Sequence, residues 1–256
     1  MTMRARKAPD LGPAALGLGA LACALAAQEV VIRLGFVSRF IVPLPSEIGP
    51  AFLRLIIEED VLGRFLMTSG EALGAGLLLA LVGITSGIVL YRVQLLRRAY
   101  ETWIAAFASA PIVLMYPLFL VIFGRNAVTI IMMGFAAALP PVILKTIEGL
   151  SATRQVHVNV GRAFKLTQRQ VFTKILLPSA LPTIFVGLRL GLLFALINIV
   201  GVEFLINFGG LGQLINDLAE RYDLPGTYAA IGFVVLVSIV FFDVTERIER
   251  WLRPGS

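Results

Sequence analysis

Two residue types that build many enzyme centres are almost missing from this chain. Among 256 residues there is one cysteine, Cys23, and one histidine, His157. A single thiol excludes a disulfide framework or a thiolate metal cage within one chain. A single imidazole makes neither a metal site nor a nucleophilic triad, so His157 reads as a packing or capping residue. No G-x-x-x-x-G-K-[ST] run occurs, which excludes a phosphate loop of that kind. The Gly-rich stretch FGGLGQ, Phe208 to Gln213, lacks the lysine and reads as a turn or as a contact for a docked protein. Charge is scarce as well: 15% of residues are Asp, Glu, Lys or Arg, against about 25% in an average soluble domain. No catalytic, cofactor-binding or metal-binding residues emerge, and the chain reads as non-catalytic.

What is abundant is apolar sequence, 58% of residues, with a mean hydropathy of +0.88. A helix needs about 20 predominantly apolar residues to cross a bilayer. Uninterrupted runs cover Ala72 to Tyr91, Thr102 to Gly124, Asn126 to Leu144 and Leu224 to Phe242. Two more are interrupted, Leu11 to Leu34 by Gln28, Glu29 and Arg33, and Ser179 to Val202 by Arg189. The alternating ten-residue segments of a membrane β-barrel are absent. The expected fold is all-α and integral to a membrane, with six transmembrane helices. Cys23 falls inside the first span as a small apolar filler. The basic start MRARK before an apolar run also fits a signal peptide, but apolar character resumes at Val30, Val31 and Ile32, which favours a span.

Lys and Arg set orientation. With the N-terminus inside, fifteen of the 22 basic residues lie on inner segments and six on outer ones, with Arg189 within a helix. Both termini are therefore expected in the cytoplasm, and the net charge of +6 follows from orientation without a nucleic-acid partner. The organisation is a cytoplasmic tail over 1–10, one transmembrane domain over 11–250 containing a cytoplasmic loop at 149–178, and a cytoplasmic tail over 251–256. The segment from Gly35 to Gly63 and the Gly-rich connection from Leu205 to Asp223 face outward.

The cytoplasmic loop is too polar to span, yet Val156, Val160, Ala163 and Phe164 share one helical face. Thr167 with Gln170 forms a capping box, and Leu166 with Val171 is spaced for a hydrophobic staple. The chain reads helix, tight break, helix, with Gly161, Arg162, Ala163, Phe164 and Lys165 as a compact knob. Pro178 and Pro182 then return it to the bilayer. An amphipathic loop resting on anionic headgroups is the plainer alternative, but a rigid capped knob points to docking.

From Gly161 to Ile175-Leu176-Leu177-Pro178 the loop resembles that of permease subunits of ABC importers, whose pattern is E-A-A, three residues, Gly, then nine or more residues to I-x-L-P. VPLPS before an outer helix, PIVLMYPLFLVIFG, LPSALPTIFVGLRLGL and GVEFLINFGGLGQLI resemble the subfamily that imports sulfonates, taurine and nitrate, over roughly Pro43 to Arg253. The resemblance implies the six-helix type I importer permease fold in a bacterial inner membrane. It implies a homodimer, a small organic or inorganic anion as solute, an extracytoplasmic binding protein, and an ATPase subunit dimer that binds ATP and Mg. Gly161, Arg162, Ala163, Phe164, Lys165, Leu166, Ile175, Leu177 and Pro178 would couple to that ATPase. Gln155, Val156 and His157 stand where the family has E-A-A, and Glu71 stands where an Arg is expected.

Polar residues at bilayer depth are costly and mark cavities or partners. They are Glu71, Arg189, Asn198 and Glu203, the pathway candidates, with Glu71 a possible spatial partner of Arg189. Gly70 with Gly74, Gly83 with Gly87, and Gly187 with Gly191 permit close helix packing. Alternatives to the anion importer are the same machinery for a vitamin or pyrimidine-type precursor, an ion-coupled secondary carrier, which would need paired broken helices in two repeats, and a non-transporting membrane scaffold or sensor.

Overall fold

A computed structural model describes residues 11–252. The tail over 1–10, with Arg4, Arg6 and Lys7, and residues 253–256 lie outside the described residues. Those described are helical throughout, with no strand. Helix α1 covers Leu11–Arg33 and α2 Pro45–Glu58. Helices α3, Val61–Leu78, and α4, Ile84–Arg92, are joined by a π turn at Leu79–Gly83 into one 32-residue helix. Then come α5, Gln94–Phe107, α6, Tyr116–Phe123, and α7, Ala127–Ser151. Short α8, Gln155–Ala163, and α9, Gln168–Val171, lead through a π turn at Phe172–Leu176 into α10, Leu177–Ile206. The chain ends with α11, Gly210–Glu220, and α12, Leu224–Leu252.

Among the described residues, five helices are long and apolar enough to cross a membrane. The sixth expected span, Thr102 to Gly124, is not one straight helix: α5 and the segment Ile112–Phe123 meet at 89°. Pro111 explains the break, because it has no amide hydrogen to donate and biases Ala110 away from helical backbone. Pro117 falls in the first turn of α6, where a missing N–H costs nothing. The expected six spans are recovered with this pair taken as one broken crossing.

Helix α7 is the hub. Asn126 caps it, accepting from the amides of Val128 at 2.9 Å and Thr129 at 3.2 Å. On one side it meets α4 and the preceding π turn, where a Cβ at Gly83 would lie 2.9 Å from Val142 Cγ1 and one at Gly87 2.5 Å from Thr146 Cβ. On the other it meets α10, where a Cβ at Gly187 would lie 2.6 Å from Lys145 Cβ and one at Gly191 2.6 Å from Val142 Cγ2. Gly134 and Gly149 on α7 return the same close approach toward Ile199 and Thr183. Small residues matter here because lipid supplies no hydrophobic drive between helices, leaving close van der Waals contact to hold them. Of the glycine pairs singled out in the sequence, Gly83 with Gly87 and Gly187 with Gly191 are such contacts, whereas Gly70 faces open space.

The buried core follows from this contact. Ala75, Leu79, Ile130, Met133, Val142, Ala195 and Ile199 fill the space between α3, α7 and α10. A second cluster at the far end of α10 packs α2, α11 and α12 through Leu55, Leu211, Leu214, Leu218 and Ala229. In the Gly-rich connection the apolar positions Leu211, Leu214, Ile215 and Leu218 keep a helical period, and α11 forms there. Helix α1 exposes most of its length, and Cys23, within it as expected, is on its exposed surface.

Gly191→Leu should destabilise the detergent-solubilised protein by about 1–3 kcal/mol, the usual cost of overpacking. Gly70→Ala should leave the melting temperature unchanged, and equal melting of the two variants would show that α7 and α10 are not in close contact.

Candidate functional site

The polar residues of the spans separate into two groups. Glu71 on α3 and Glu203 on α10 come together with relative exposures of 3% and 0%, their carboxyl groups within hydrogen-bonding reach of one another. Arg189 lies fourteen residues earlier on α10, about 21 Å along a helix, and its guanidinium sits 4.9 Å from the ring centroid of Phe242. Glu71 is therefore paired with Glu203 rather than with Arg189. Asn198 does not join either group; its side-chain amide donates to Phe194 O of its own helix at 2.9 Å.

The Glu203 carboxylate organises the end of α10. One oxygen accepts from the Thr68 hydroxyl at 2.7 Å and the other from the Gly212 amide at 2.7 Å, while Leu211 N donates to Thr68 Oγ1 at 2.9 Å. Amides at the first turn of a helix have no partner within it, so a buried carboxylate there both pairs them and meets the positive end of the helix dipole. The glycines of FGGLGQ follow from this geometry. Gly209 and Gly210 have φ of +64° and +71°, and side chains at Gly210 or Gly212 would run into Glu203. The stretch is thus the turn into α11. Glu71 is different: among the described residues no N–H or O–H donor reaches either of its oxygens.

Around this cluster the far-end arginines are used in structure. Arg64 pairs with Asp217 at 3.0 Å, Arg221 with Glu59 at 2.8 Å, and Arg54 with Asp223. Arg125 donates to the carbonyls of Ile206 and Asn207, where α10 ends. These contacts link α2, α3, α10, α11 and α12.

The knob is at the opposite end of α10. Helix α8 closes in a Schellman arrangement, with Lys165 N donating to Arg162 O at 2.9 Å and Leu166 N to Gly161 O at 3.0 Å. Lys165 occupies the left-handed position, φ +55°, that glycine more often takes. The capping box expected at Thr167 is present, with Thr167 N donating to Gln170 Oε1 at 2.9 Å and Gln170 N to Thr167 Oγ1 at 3.3 Å. Gly161 is buried, and a Cβ there would lie 2.5 Å from Ile175 Cδ1, with Leu166 and Val171 just beyond. Leu166 and Ile175 thus support the knob from beneath, while Leu177 and Pro178 begin α10.

The apolar stripe of α8 faces outward. Val156, Val160 and Phe164 have relative exposures of 66%, 50% and 78%, whereas the inward face carries Val158 and Gly161. Arg162, Ala163 and Lys165 are exposed beside it. His157, expected to pack or cap, is exposed in the first turn of α8, and Gln155 Nε2 donates to Asn159 Oδ1 at 3.4 Å.

Glu203→Ala should destabilise the protein strongly, by about 1–3 kcal/mol for each buried donor left without an acceptor. Glu71→Gln should melt near wild type, since an amide supplies the hydrogen facing Glu203. Both are read from melting temperatures in detergent, and severe destabilisation by Glu71→Gln would contradict the carboxyl contact.

Known proteins extend the comparison. Residues 74–254 match the model of the family described as binding-protein-dependent transport system inner membrane component. The chain is 31% identical over 202 residues to the nitrate import permease protein NrtB of Synechococcus elongatus, covering 76% of this chain and 71% of that protein. It is 28% identical over 241 residues to the putative aliphatic sulfonates transport permease protein SsuC of Bacillus subtilis, covering 92% and 86%. It is 27% identical over 217 residues to the formylaminopyrimidine transport permease protein ThiX of Halalkalibacterium halodurans, covering 82% and 85%. A solved structure of the MetNI methionine ABC transporter, inward facing, superposes with a TM-score of 0.65 at 21% identity, covering 75% of this chain and 95% of that one, a likeness of fold. The chain belongs to the family of inner membrane components of binding-protein-dependent transport systems, multi-pass proteins of the inner membrane.

Proposed function

We propose that this chain is the permease subunit of an ATP-binding cassette importer that forms, as a homodimer, the pathway for a small anion of the sulfonate or nitrate class. Both termini lie in the cytoplasm in this reading. An ATPase subunit dimer binds ATP and Mg and docks on the knob, and an extracytoplasmic binding protein delivers solute to the end that carries α2 and α11. The observation that carries the reading is the exposed stripe of Val156, Val160 and Phe164 on a capped, rigid knob. Exposed apolar patches rimmed by polar residues mark protein contacts. Gly161, Leu166 and Ile175 hold that surface, Arg162, Ala163, Phe164 and Lys165 present it, and Leu177 and Pro178 pass its movement into α10. Arg189 and Asn198, both half-buried on α10, remain on the solute's side, whereas Glu71 and Glu203 anchor the turn into α11.

The anion rests on the likeness to NrtB and SsuC. The likeness to ThiX, 27% identical over 217 residues, favours a second reading in which the solute is a pyrimidine-type precursor. Retention of one class by the cognate binding protein, measured by mass spectrometry of the purified protein, separates the two.

Phe164→Asp, at an exposed position, should insert normally yet reduce ATP-driven uptake by proteoliposomes containing the cognate ATPase at least tenfold, the scale of losing an interfacial aromatic anchor of about 2 kcal/mol. Unchanged uptake would remove the knob from the coupling path.

A further inference from the structure

Beside the knob, a cavity of about 770 Å³ opens between the end of α4, the start of α5, and α8 and α9. Its wall carries Arg92, Arg97, Arg162 and Arg169 and no carboxylate. Two of the four are fixed in place. The Arg92 guanidinium lies 4.0 Å from the ring centroid of Phe172, and Arg97 donates to Ser151 Oγ at 3.0 Å and to Glu101 Oε2 at 2.7 Å. Glu101 therefore offsets only Arg97. Among the described residues no carboxylate pairs with Arg92, Arg162 or Arg169, whereas Arg54, Arg64 and Arg221 at the far end are each held in an ion pair. Gln155 and Gln168 add amide groups to the same wall.

Three guanidinium groups without a carboxylate partner, with Arg97 beside them, line one polar cavity from four segments, a concentration of positive charge that an anion among them would offset. Planar N–H forks suit a phosphate, which they bind through two oxygens at once. The depth of the cavity agrees. It lies where the apolar helix Val61–Arg92 ends and α10 begins, the level at which chains leave the hydrocarbon for the headgroups. None of Val156, Val160 and Phe164 lines it, so it stands apart from the exposed stripe.

We propose that this cavity binds a phosphate group, supplied by an anionic phospholipid headgroup of the adjoining leaflet or by free phosphate. The site pins α4, α5, α8 and α9 together, and so sets the knob relative to the spans independently of any ATPase.

The test uses the full chain in nanodiscs of phosphatidylcholine, with phosphatidylglycerol added in one arm and inorganic phosphate in the other. Thermal melting and native mass spectrometry of retained lipid are the readouts. Wild-type protein should be stabilised by phosphatidylglycerol, by inorganic phosphate or by both, and the responding arm identifies the source. Arg92→Gln/Arg169→Gln should weaken that response at least tenfold, the scale of one lost charge-assisted hydrogen bond, while melting like wild type in phosphatidylcholine alone. Should the double variant melt lower there, Arg169→Gln alone, at an exposed position, carries the comparison. No stabilisation in either arm, or an equal response from wild type and Arg169→Gln, would overturn the proposal. So would protection of the arginines from phenylglyoxal only upon adding the ATPase, since the occupant would then be acidic protein.

Discussion

Close contact between α7 and α10 is the constraint on which the other arrangements depend. Six glycines, on α7, on α10 and along Val61–Arg92, bring backbones near enough that most added Cβ atoms would lie under 3 Å from a neighbour. In lipid there is no water-driven collapse to hold helices, so these contacts and the core between them make the bundle. With α10 held along its length, its 30 residues act as one rod between two chemically different ends.

Those ends divide the work. At one, Glu203 pins the start of α11, arginine–carboxylate pairs tie α2, α3, α11 and the start of α12, and Arg125 holds the end of α10, so charge is spent on holding shape. At the other, capping at Thr167 and the Schellman closure at Lys165 make a rigid knob whose apolar stripe and neighbouring bases are left unpaired. The π turn Phe172–Leu176 joins the knob directly to α10, and at the far end α10 meets α11 and α12.

Much of this was legible in the sequence, for identifiable reasons. Long apolar runs and caps are local signals: a span needs only length and composition, and Thr167 with Gln170 needs only a spacing of three. The bend at Pro111 escaped because the run from Thr102 to Gly124 is apolar on both sides of it. Helix α11 was hidden by the glycines that open it, although the period of Leu211, Leu214 and Leu218 marks it. Pairing between distant residues was not legible at all. Glu71 could be assigned to Arg189 as reasonably as to Glu203 until the register of α3 against α10 was known. Which side of α8 faces outward likewise depends on Ile175 and Val171 closing over Gly161.

The central claim is that transport through this chain is driven through its knob by a separate ATPase. Solute uptake into proteoliposomes, measured with and without the cognate ATPase under an imposed proton or sodium gradient, tests it most directly. Uptake only with ATPase, ATP and binding protein, and none from the gradient alone, is the result the account predicts; gradient-driven uptake by the chain by itself would contradict it.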